Sequence, residues 1–212
     1  ADRTRVLYTS DHGENLGARG LFGKFTMYEE SVSVPLLLAG PEVPAGRVVP
    51  TPVSLVDCFP TLLEAVGARP DPADAALPGT SLWRLAVEES RDREVLSEYH
   101  AVNSRRASFM LRGTRWKLVY YVDAPPQLFD LETDPQELRD RAADPDCSRQ
   151  LAEMTARLRE RVDPEGVDRQ ARADQAARIA AYGGREAVLR RGTFDNSPVP
   201  GEKPAFRDRS LD

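Results

Sequence analysis

An aspartate, a histidine and a lysine carry most of the chemistry this sequence can do. Asp11 and His12 are adjacent in Thr9-Ser10-Asp11-His12-Gly13-Glu14, and Lys24 follows twelve residues after His12. A carboxylate beside an imidazole offers oxygen and nitrogen lone pairs to one divalent cation. An ammonium has no lone pair to give and acts instead as a point charge for an anion. The three types therefore fit a site where a cation and a lysine share one anionic group. The plainer reading of an Asp-His pair after a strand is a loop cap with a surface histidine, because short motifs match by chance.

The flanking residues must position these groups. Val6, Leu7 and Tyr8 are β-branched, apolar and aromatic, and read as a buried strand that stops at small and polar residues. Asp11 and His12 then fall at the carboxyl end of a strand, where open α/β sheets bind ligands. Lys24 ends a loop punctuated by Gly17, Gly20 and Gly23, which can fold back and aim the ammonium. Residues 34–39 form an apolar run suited to a strand buried on both faces, with Pro35 near its start. Ser54-Leu55-Val56-Asp57 has capping-box spacing for a helix. Leu62, Leu63 and Val66 would share one face of that helix, Gly67 would stop it, and Cys58 reads as a small buried hydrophobe.

Further along, 94–100, 107–111, 116–122 and 127–131 read as four strands of a small antiparallel sheet. His100 stands at the end of the first of these. It is either a loop residue or a wall of a substrate pocket. Trp116, Tyr120 and Tyr121 read as sheet and core contacts, and Arg112, Arg115 and Lys117 as a solvated face. Leu151, Met154, Leu158 and Val162 recur at helical spacing, and Pro164 suits the first turn of another helix. The chain thus divides into an α/β part at 1–92, a small sheet at 93–145, helices at 146–192 and an extended arm at 193–212. That arm is either a free end or a docking segment anchored on a neighbouring subunit by Phe194 and Phe206.

Composition excludes several functions. The formal net charge of −5 and the absence of a basic, motif-bearing patch speak against nucleic acid as a partner. No apolar run approaches the roughly 20 residues of a membrane helix. Two cysteines, Cys58 and Cys147, make no disulfide framework, and the expected location is cytoplasmic.

Beyond the residues themselves, Thr9-Ser10-Asp11-His12-Gly13-Glu14, Gly20-Leu21-Phe22-Gly23-Lys24, Tyr28-Glu29-Glu30-Ser31 and Val34-Pro35-Leu36 closely resemble the sulfatase family of the alkaline phosphatase superfamily. The likeness continues in residues 52–57, Pro60-Thr61-Leu62-Leu63, Gly79-Thr80-Ser81-Leu82 and Leu128-Phe129-Asp130-Leu131, then Asp134-Pro135 and Glu137. It implies the C-terminal part of an alkaline-phosphatase-like α/β/α sandwich, followed by a small antiparallel sheet and C-terminal helices. It implies that Asp11 and His12 ligate a divalent ion, Ca or Mn, and that Lys24 holds a sulfuryl oxygen. The tail resembles that of choline-sulfatase-like members, which implies a homo-oligomer joined through the arm.

Sulfatases also carry a Cys-x-Pro-Ser-Arg type motif, whose first residue becomes a formylglycine nucleophile. This sequence has none. Cys58-Phe59-Pro60-Thr61-Leu62 has Cys and Pro at the right separation but Thr and Leu where Ser and Arg belong. The chain therefore looks like the C-terminal half of a sulfatase, inactive alone, with the N-terminal half of the enzyme as its partner. Two departures stand out. Asp140-Arg141-Ala142 replaces the family's Asn-Leu-Ala. Val102 and Asn103 follow His100 where choline sulfatases carry an acid, which counts against choline as the substrate. Other readings stay open: the same half of a phosphonate monoester or phosphodiester hydrolase, a non-catalytic fragment that binds a partner chain, or an unrelated α/β domain.

Overall fold

The computed structural model describes residues 3–88, 92–100, 104, 106–194 and 206–207. The chain forms two compact units, Ala1–Pro164 and Glu165–Asp212, so the division falls inside the helical region expected at 146–192.

The first unit begins with strand β1 (Val6–Thr9) and, after the glycine loop, helix α1 (Glu29–Val32) and strand β2 (Leu36–Ala39). β1 and β2 pair with each other antiparallel, Val6 opposite Ala39 and Thr9 opposite Leu36. The loop and α1 bring the chain back beside the end of β1, and β2 runs back along β1 from there. Gly13 is what lets the two arms of this return meet. Its N–H donates to the Ser31 carbonyl at 2.8 Å. A Cβ there would lie 2.0 Å from the Glu30 carbonyl oxygen, so no other residue fits. The two strands are not buried on both faces as the sequence suggests. Val6, Tyr8 and Leu37 point outward, because alternation in a two-stranded sheet sends every second side chain to its uncovered side.

Helix α2 (Cys58–Val66) follows a single helical turn at 55–57 and ends at Gly67, whose φ of 69° is the left-handed stop expected there. The Asp57 carboxylate reaches back to the Ser54 N–H at 2.8 Å. Asp57 is fully buried and also accepts from the Thr80 N–H and, in a fork, from Arg93 at 2.6 and 2.7 Å. The apolar face of this helix is not packed inward. Leu62 and Val66 are exposed, as are Leu55, Val56 and Phe59, and the residue buried against helix α3 (Leu82–Val87) is Thr61. Thr61 earns its burial by hydrogen bonds: its hydroxyl accepts from Leu82 N–H, and its carbonyl accepts from the Trp83 indole, both at 2.8 Å. Cys58 is only partly buried, not a core residue.

The small sheet is as the alternation predicts, in the order β3 (Val95–Tyr99), β4 (Ser108–Arg112), β5 (Trp116–Tyr121), β6 (Ala124–Asp130), antiparallel throughout. β6 starts earlier than expected, running through Pro125 and Pro126. Prolines are tolerated there because β6 is an edge, and the register slips between Val119 and Tyr121. One face carries Val95, Met110, Val119 and Phe129 against Met27, with Tyr28 and Val32 packed alongside. Helix α4 (Ser148–Arg161) packs on β5 and buries Met154 and Leu158, two of its predicted apolar positions.

Lys117 is not on a solvated face. It is completely buried, with its ammonium 2.9 Å from Glu29 and 2.7 Å from Glu137. Period-2 alternation puts it on the same side as Val119, facing α1, where two carboxylates meet it.

The second unit holds the rest of helix α5 (Pro164–Ala181), with Pro164 in its first turn as predicted, then helix α6 (Arg185–Arg191). In the segment expected as an extended arm, strands β7 (Thr193–Phe194) and β8 (Phe206–Arg207) pair antiparallel. Residues 195–205 and 208–212, and Val102 and Asn103 after His100, lie outside the described residues.

Candidate metal and anion site

Asp11 and His12 follow β1 directly, and both border a cleft of about 750 Å³ together with Lys24. The Asp11 Oδ1 accepts from the His12 N–H at 3.0 Å, and the Ser10 hydroxyl donates to the His12 carbonyl at 2.9 Å. The aspartate is thus a loop cap as well, and the plain reading holds alongside the chemical one.

The imidazole is oriented from behind. Its Nδ1 lies 2.8 Å from the Gly13 carbonyl oxygen, which can only accept, so Nδ1 carries the proton. In the neutral ring that leaves Nε2 as an acceptor. It faces Asp11 Oδ2 at 3.2 Å and is in contact with the Lys24 ammonium. A carboxylate oxygen and a ring nitrogen turned toward one another attract a cation, here the ammonium. A histidine that donates its far N–H to a backbone carbonyl is the usual outer arrangement of a metal ligand. The pair therefore fits a divalent ion. Desolvation pushes the Asp11 carboxyl up, but its attraction to His12, its backbone N–H donors and Lys24 outweigh it and hold it below the usual range. Two ligands are fewer than such an ion needs. Among the described residues, no group of three or more His, Cys, Asp or Glu side chains converges.

Lys24 is delivered by a loop tied across its own neck. The Asn15 N–H donates to the Gly23 carbonyl at 3.0 Å, the Asn15 amide donates to the same oxygen, and the Glu14 carboxylate accepts from the Gly23 N–H. Asn15 is buried, and its Oδ1 accepts from the Thr26 hydroxyl at 3.3 Å. Glu14 and Asn15 were not singled out from the sequence. A polar pair between Gly13 and Gly17 was the hint the sequence offered.

His100 is not brought to this cleft. Glu98 and Tyr99 border it. His100 turns back to Glu98, 3.1 Å away, and meets the Phe109 ring edge-on with centroids 5.3 Å apart. Glu29 and Arg112 complete the charged part of the cleft wall, 3.8 Å apart.

An α/β segment with an Asp-His pair at a strand end, followed by a small antiparallel sheet, is the arrangement of sulfatases of alkaline-phosphatase-like fold. The profile of the family described as N-sulphoglucosamine sulphohydrolase, C-terminal, matches residues 17–163, and the chain belongs to that sulfatase family. It is 43% identical over 148 residues to arylsulfatase K of Mus musculus, covering 64% of this chain and 26% of that protein. It is 37% identical over 204 residues to choline-sulfatase of Rhizobium meliloti (strain 1021), covering 93% of this chain and 39% of that protein. Among solved structures, phosphonate monoester hydrolase of Agrobacterium radiobacter superposes with a TM-score of 0.64 at 30% identity, over 75% of this chain and 35% of that one. The chain thus spans well under half the length of these relatives. The fold is that of the C-terminal part of sulfatases.

Proposed function

We propose that this chain supplies the metal-ligand pair and the anion-holding lysine of an enzyme that hydrolyses sulfate monoesters. The observation that carries the reading is the convergence of Asp11, His12 and Lys24, with Oδ2 and Nε2 3.2 Å apart and the ammonium against Nε2.

Hydrolysis of a sulfate monoester needs a nucleophile at sulfur, neutralised charge on the sulfuryl oxygens and help for the leaving oxygen. A divalent ion, Ca or Mn, would be held by Asp11 and His12 and would supply Lewis acidity and a template. Gly13 fixes the imidazole so that Nε2 is the ligating atom. Lys24 binds a sulfuryl oxygen and steadies negative charge as the bond to the leaving oxygen breaks. The nucleophile is a formylglycine from sequence outside these 212 residues, and the N-terminal half of the enzyme brings it together with the remaining ligands. Cys58 does not serve. Burial, then the Asp57 charge, push its thiol up from the usual range, opposite to what a nucleophile needs.

The 30% identity to a phosphonate monoester hydrolase supports a second reading, the same site acting on a phosphonate ester. The test uses the full-length protein that contains this sequence. Its kcat/KM is measured on an aryl sulfate and on a phenyl phosphonate, before and after chelation and with Ca or Mn restored. The sulfatase reading expects preference for the sulfate, loss on chelation, and loss of bound metal in His12→Ala. Preference for the phosphonate moves the assignment to the second reading. Metal-independent turnover removes both.

A further inference from the structure

Lys24 can act only where its loop puts it, and the loop is fastened from the small sheet. Arg19 sits at the tip of the loop, at a φ of 56°. Its guanidinium crosses to the turn after β6. Nη1 donates to the Glu137 carbonyl at 2.9 Å and Nη2 donates to the Gln136 carbonyl. The guanidinium also lies over the Tyr28 ring, 4.1 Å from its centre, and pairs with Glu30 at 3.4 Å. The receiving turn is itself rigid. The Glu137 side chain is fully buried, holds Lys117 at 2.7 Å, and accepts from the Glu29 N–H at 2.8 Å. Arg19, Lys117 and Arg112 face Glu29, Glu30 and Glu137, so three positive and three negative groups balance in one network.

A surface arginine on a glycine-rich loop would ordinarily be a solvated charge. Here the side chain is mostly buried, at 17% exposure, and spends its fork on two main-chain carbonyls 117 and 118 residues away. Such a bidentate hold fixes direction as well as distance, which a lysine cannot reproduce. The same loop is cinched at its neck by Asn15 and Gly23, immediately before Lys24. A tip fixed by Arg19 and a neck fixed by Asn15 hold the backbone from which Lys24 reaches His12.

We propose that Arg19 is a positioning residue: anchored on the Gln136–Glu137 turn of the small sheet, it holds the glycine loop so that Lys24 stands beside His12. The small sheet thereby takes part in catalysis although none of its strands supplies a ligand. The proposal rests on the role of Lys24 given above, and its test separates the two.

The test is a double-mutant cycle in the full-length, metal-loaded enzyme, with kcat/KM on an aryl sulfate measured for Arg19→Ala, Lys24→Ala and the pair. Displacing a catalytic group by about 1 Å is worth on the order of 100-fold, so Arg19→Ala should lose roughly 10- to 100-fold, with metal content unchanged. In the Lys24→Ala background the same substitution should lose less than about threefold, because a loop with no ammonium to place has nothing left to lose. Arg19→Lys keeps the charge without the fork and should behave as Arg19→Ala does. It carries the cycle where the alanine variant does not fold. Equal losses in both backgrounds mean that Arg19 serves stability alone and overturn the proposal while leaving Lys24 in place. A near-normal Lys24→Ala overturns the reading of Lys24 and the proposal with it.

Discussion

Lys24 and His12 are in contact, and Asp11 and His12 are 3.2 Å apart, so three adjacent side chains have to be told apart by what each variant loses. Lys24→Ala in the full-length enzyme should lower kcat/KM by about 100- to 1000-fold, the usual effect of removing one preorganised oxyanion donor. Metal content should hardly change, since an ammonium ligates nothing. His12→Ala should lose metal and activity together. A Lys24→Ala variant within about twofold of normal would return the lysine to the ranks of surface residues. This part of the site was legible in the sequence because Asp11, His12 and Lys24 are close along the chain and glycines mark the loop. His100 was not, because only the packing of its ring decides whether a strand-end residue lines a cleft. The side chain here turns back to Glu98 and packs on Phe109.

At the scale of elements, two carboxylates hold pieces together and can be tested separately. Asp57 joins the start of α2 to Thr80 and Arg93. Its removal leaves Arg93, mostly buried, without that partner. Asp57→Ala should cost about 3–5 kcal/mol in urea unfolding, as for other broken buried pairs. A cost below about 1 kcal/mol would mean that Arg93 finds solvent at once. Asp130, at the end of β6, is held below the usual carboxylate range chiefly by its hydrogen bonds from Arg115, against an opposing push from burial. A depressed carboxylate stabilises fully above its ordinary value and loses that contribution as pH falls through its folded value. Asp130 should therefore help stability above about pH 4 and lose that contribution below it. Asp130→Asn should flatten the acid limb of a Tm-against-pH curve and leave its neutral shape unchanged. The sequence made the four strands of the sheet and the Gly67 stop readable, because alternation and a left-handed cap are local signals. It could not show that Lys117 lies inward, since a lysine reads as a solvent residue until two carboxylates from α1 and the Glu137 turn are known to meet it.

For the molecule as a whole, apolar side chains that looked internal are external. Leu55 and Val56 in the turn at 55–57 and Phe59, Leu62 and Val66 on α2 are exposed, and Val6, Tyr8 and Leu37 stand on the open face of β1 and β2. Periodicity shows that such residues share a face, but not whether anything covers it. Contiguous apolar surface of this kind marks a contact site. The 212-residue chain alone should bind a hydrophobic dye strongly and show no turnover of an aryl sulfate, and the full-length protein should bind the dye weakly. Weak dye binding by the isolated chain would mean that these faces tolerate water, and turnover would mean that it contains its own nucleophile.

Pro125 and Pro126, described above as tolerated at the edge of the small sheet, have a consequence for how this protein keeps to itself. An open sheet edge is a template on which another extended chain can lay itself down. Along β6 that template is blanked out. The two prolines carry no N–H, while the N–H of Leu128 is taken by Asp140 at 3.0 Å and its carbonyl by the Arg141 N–H at 2.8 Å. A stray strand arriving there finds no ladder to climb. The Asp140-Arg141 segment that departs from the usual family residues thus occupies the edge positions an added strand would need.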